Sequence, residues 1–62
     1  MYNRVLNERV SDIEQIAVEL DNYANLVEPK DKDQAERTRA VATKLKASVG
    51  MMKSALVDLS YL

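Results

Sequence analysis

Cysteine and histidine are both missing from this sequence. The first absence excludes a disulfide framework, and the two together remove the usual ligands of a structural zinc ion. A carboxylate-bridged metal bundle needs glutamates at core positions and, commonly, a Glu-x-x-His pair; the sequence offers neither. Glycine and proline occur once each, so the chain carries little local punctuation. No apolar run is long enough to span a bilayer, and Met1-Tyr2-Asn3-Arg4 leads into mixed polar sequence rather than the apolar centre of a signal peptide. These absences predict a soluble, cytoplasmic protein with no metal, no cofactor and no membrane partner. Neither sign of charge is in excess: nine Lys and Arg against ten Asp and Glu leave a net charge of −1. The chain as a whole therefore exerts no pull on nucleic acid or on an anionic membrane.

What the chain does have is heptad periodicity on both sides of one polar turn. From Leu6, apolar or small residues fall at Val10, Ile13, Ala17, Leu20, Ala24 and Val27, alternating four and three apart. After Glu28-Pro29-Lys30-Asp31-Lys32-Asp33 the alternation resumes through Ala35, Thr38, Ala42, Leu45, Val49, Met52, Leu56 and Leu59. This is a coiled-coil type of seam. Proline disfavours helical geometry at Glu28, and Asp33 followed by Glu36 has the spacing of a capping box that restarts a helix. The prediction is an all-α fold: an antiparallel two-helix hairpin, with helices over about 4–27 and 33–60, making one domain of residues 1–62. Gly50 falls off the seam at a b position, either tolerated within a continuous helix or marking a close contact.

Placing Val10, Ala17, Ala24, Ala35, Ala42, Val49 and Leu56 at a and the alternate seam residues at d gives layers that are small near the turn and large at the open end. A second copy packed antiparallel would set narrow against wide. In an antiparallel pair, e positions face e and g positions face g. The e columns are Asn7, Glu14, Asp21, Glu28 and Arg39, Lys46, Lys53, Ser60, opposite in sign. The expected pairs are Asp21 with Arg39 and Glu14 with Lys46. The g columns, by contrast, read Tyr2, Arg9, Ile16, Tyr23 on the first helix and Gln34, Val41, Ser48, Ala55, Leu62 on the second. One wing of the hairpin is charged and the other largely apolar.

A chain this short buries only about 60% of the surface its unfolded form exposes, and oligomerisation is the remaining staple. Tyr2, Ile16, Tyr23, Val41 and Ala55 are thus the predicted oligomer interface of a homodimer, a four-helix bundle or a larger helical oligomer. The layering of alanine at a with larger residues at d resembles, in architecture, the plasmid RNA-one-modulator hairpins. That resemblance implies antiparallel four-helix bundles that bind RNA loops, and no residue motif carries over with it.

No catalytic constellation is present. Glu14, Glu19 and Asp21 form a solvated helix face with nothing to shift their pKa values apart. The expected function is that of a small non-enzymatic interaction protein, a regulator, adaptor or inhibitor that binds another protein. Gly50, Met51, Val57 and Tyr61 are the candidate partner-binding residues. One alternative is RNA or DNA binding by the basic second helix through Arg37, Lys44 and Lys53. Another is sequestration of a small ligand between subunits.

Overall fold

The computed structural model describes residues 2–59, with side chains described from Arg4 onward. It contains two α-helices, α1 (Tyr2–Val27) and α2 (Lys32–Leu59), joined by a short turn and packed against each other along their length. Charged contacts pair Glu28 with Arg39, Asp21 with Lys46 and Glu14 with Lys53. As one partner's number falls the other's rises, so the helices run antiparallel. The Cα trace extends over 49 × 15 × 9 Å.

The break falls where the proline requires it. α1 stops at Val27, whose carbonyl accepts hydrogen bonds from the Lys30 and Asp31 amides at 2.8 Å each. The cap of α2, however, is Asp31 and not Asp33. Its Oδ1 accepts a hydrogen bond from the Gln34 amide at 3.0 Å, and its carbonyl accepts the Ala35 amide at 3.1 Å. Asp31-x-x-Gln34 has the same box spacing as the pair starting at Asp33, and the earlier residue wins because the chain leaves the turn there. Asp33 lies in the first turn, with its carboxylate 3.0 Å from Arg37.

Both helices are continuous, and α2 passes through Gly50 without a break or a positive φ.

The core departs from the expected a/d layers. Every buried residue is an a residue: Val10, Ala17, Ala24, Ala35, Ala42, Val49 and Leu56. The d residues Ile13, Leu20, Val27, Thr38, Leu45 and Met52 are only half-buried, and Leu6 and Leu59 are exposed. Alanine explains this. The four a positions nearest the turn are alanines with no accessible surface, and side chains this small let the backbones approach until the line of contact runs through a itself. The larger d residues are left to one side. Only toward the open end does a cluster of bigger side chains form, from Val10, Val49 and Leu56 with Ile13 and Met52 packed on it.

Two substitutions check this reading of α2. Asp31→Ala should lower unfolding free energy by about 1 kcal/mol in urea titrations, and by more than Asp33→Ala does. Gly50→Ala should raise it by about 1 kcal/mol, because a Cβ there meets nothing within 4 Å. A loss at Gly50 would instead mean that another helix packs against it.

Candidate functional site

Successive residues of an α-helix are rotated by about 100°. Seen down either helix, e therefore lies about 40° to one side of a, while d lies about 60° and g about 120° to the other. This rotation gives the hairpin two unlike flanks.

The e flank is closed by charge. Arg39 donates to Glu28 Oε1 at 2.7 Å and to Asn25 Oδ1 at 2.8 Å; Lys46 donates to Asp21, and Lys53 to Glu14 Oε2 at 2.8 Å. The columns are those the sequence indicates, but the pairs differ. Arg39 bonds Glu28 and not Asp21, and Lys46 bonds Asp21 and not Glu14, so each base reaches the acid one heptad nearer the turn. The Arg39 hydrogen bond and charge hold the Glu28 carboxyl below its ordinary value of 4.5. The hydrogen bond to Glu28 raises Arg39 in turn, with the charges of Glu28, Asp21 and Glu36 adding to it.

The opposite flank is open. It combines the half-buried d columns with the g columns, where Ile16, Tyr23 and Val41 are each about half exposed. Ala55 is exposed in the same column. The Tyr2 side chain lies outside the described residues. One polar group within this strip is self-satisfied: the Thr38 hydroxyl donates to the Gln34 carbonyl at 2.9 Å, so it needs no water. The result is a mostly apolar face, interrupted in its g columns by Arg9, Gln34 and Ser48.

The remaining candidates are dispersed. Met51, 75% exposed, lies at c on the rim of the open face, whereas Gly50 and Val57 lie at b on its far side. They form no common groove, and Tyr61 lies outside the described residues. Leu26, 77% exposed, marks the rim of α1 as Met51 marks that of α2. Of the basic candidates, Arg37 pairs with Asp33 and Lys53 with Glu14, while Lys44 makes no ion pair among the described residues. Among the described residues no helix is long and apolar enough to cross a membrane, and no three acidic side chains gather as a metal site would require.

The heptad pattern marks the g wing but assigns the d residues to the core, which hides Ile13, Leu20 and Leu45 as face residues. The run of alanines at a was the available signal, because it displaces the contact line toward a. The chain matches no known protein family, no characterised protein and no solved structure.

The closed flank yields a pH test. Glu28 titrates below its ordinary value when folded, so its contribution is fully present above pH 4.5 and is lost as pH falls through the lowered value. The stability difference between the native chain and Glu28→Gln, from urea unfolding at a series of pH values, should shrink over that descent. A difference that does not change with pH would mean the Arg39 contact is absent in solution.

Proposed function

We propose that this hairpin is a non-enzymatic interaction protein that pairs face to face with a second copy as a four-helix bundle and then binds another protein. The supporting observation is the open d and g face, set against a core whose larger members are only Val10, Val49 and Leu56. Water covers one side of nearly every large apolar side chain in the single hairpin. A face of the Cα trace's length and width, 49 by 15 Å, offers on the order of 700 Å² per copy. Two such faces reach about 1,400 Å², within the range of stable protein interfaces.

Other readings have less to draw on. For nucleic acid, two of the three basic candidates are already held by acids of the same chain. For a sequestered ligand, a rod whose smallest Cα extent is 9 Å has no interior of its own, so any such chamber would require the bundle first. For catalysis, Glu14 and Asp21 are engaged in salt bridges, and we assign no reaction. Pairing through the open face leaves the rim residues Leu26 and Met51, with Val18 and Val57 behind, as apolar contacts for a regulator, adaptor or inhibitor to use.

Light scattering over a dilution series tests the pairing. The expected mass at micromolar concentration is that of two chains. Ile16→Lys should weaken association at least about tenfold, since it places a charge in each half of a seam where burying the rest of an isoleucine contributes roughly 1 kcal/mol per copy. A well-folded strict monomer, or pairing indifferent to Ile16→Lys, would overturn the proposal.

A further inference from the structure

We infer that the two copies, resting on the face-to-face pairing proposed above, lie with their turns at the same end, α1 of each along α2 of the other. A twofold axis that joins two open faces lies in the plane between them, and for a rod this leaves two directions. An axis along the rod sets the turns side by side and α1 on the partner's α2. An axis across the rod sets the turns at opposite ends, α1 on the partner's α1 and α2 on the partner's α2.

The register within the hairpin decides which side chains meet. Arg39 bonds both Glu28 and Asn25, so it stands near the level between them. Val10 joins both Val49 and Leu56 in one cluster, so it stands level with the gap between those two. Carried along the rod, these two levels bracket one register. They place Tyr23 level with Val41, Ile16 level with Ser48 and Glu19 level with Lys44.

The two wings differ in bulk at each level. α1 carries Ile16 and Tyr23 where α2 carries the smaller Ser48 and Val41. The axis along the rod lays Ile16 over the partner's Ser48 and Tyr23 over the partner's Val41, large against small. The axis across it lays Ile16 on the partner's Ile16 and Ser48 on the partner's Ser48, leaving a clash at one wing and a void at the other, which close packing disfavours. The narrowing toward the turn does not oppose this, because it belongs to the a column and is buried inside the hairpin.

Charge points the same way. For a helix lying on the open face, d and g form the seam and c is its flank, as e is for the hairpin itself. On these flanks Asp12 is paired with Arg9 and Arg37 with Asp33. Midway along the rod, Glu19 on α1 and Lys44 on α2 make no ion pair among the described residues. The axis along the rod brings Glu19 to the partner's Lys44, twice by symmetry; the axis across it brings Glu19 to the partner's Asp12.

Dipolar electron paramagnetic resonance on a Lys30→Cys chain, spin-labelled at the exposed turn, distinguishes the two, with molar mass measured on the same sample. Dimers with labels within about 20 Å, two helix diameters, are expected. Dimers with labels separated by nearly the 49 Å rod length would overturn this geometry and leave the pairing intact; a monomeric mass would overturn the pairing itself. As a second readout, Glu19→Lys should weaken the dimer about two- to thirtyfold, and adding Lys44→Glu should restore it. Strengthening by Glu19→Lys alone would contradict the arrangement, because a lysine there would meet the partner's Asp12 under the other axis.

Discussion

Alanine against alanine is the contact on which this hairpin depends. Ala17, Ala24, Ala35 and Ala42 have no accessible surface, and their lack of bulk lets the two backbones come close enough for the contact line to run along one column of each helix. Close approach in turn removes d from the seam. A leucine or valine at those a positions would hold the helices apart and let d residues meet across the gap. The alanines therefore decide which way each helix is rotated, and that rotation creates the open face. They do so while contributing little hydrophobic free energy, since each buries little more than a single methyl, worth on the order of 0.8 kcal/mol. Geometry and stability thus come from different residues.

The charged flank fixes direction more than it adds stability. Three bases of α2 meet three acids across the hairpin, and exposed pairs of this kind add little to stability. Parallel packing would forfeit this e-to-e pairing, so opposite signs on the two columns select the antiparallel arrangement. With the e flank occupied by salt bridges, only the d and g flank is available for apolar association. On the proposed pairing, one flank serves the fold and the other meets the second copy.

Much of this was legible in the residues. The uninterrupted spacing from Leu6 to Val27 and from Ala35 to Leu59 places both helices, Pro29 places the turn, and the e and g columns show one polar and one apolar wing. What the pattern leaves open has physical causes. A heptad repeat looks the same whether d faces the partner helix or swings outward; side-chain volume at a makes the difference. The charge columns repeat every seven residues, so a shift of one heptad preserves every sign. Asp21 with Arg39 and Glu28 with Arg39 are then equally good on paper, and side-chain reach across the close-packed pair selects the second. Asp31 and Asp33 both stand three residues before a Gln or Glu, and only the path of the chain out of the proline turn makes Asp31 the cap.

If the open d and g face pairs with a second copy as proposed, folding is coupled to association, and mass action links stability to concentration. Thermal unfolding followed by circular dichroism over a hundredfold range of protein concentration tests this most directly. A midpoint that climbs steadily with concentration is the predicted result. A midpoint that stays fixed, with helix content unchanged at the lowest concentration, would show that the single hairpin is self-sufficient and that its open face needs no cover.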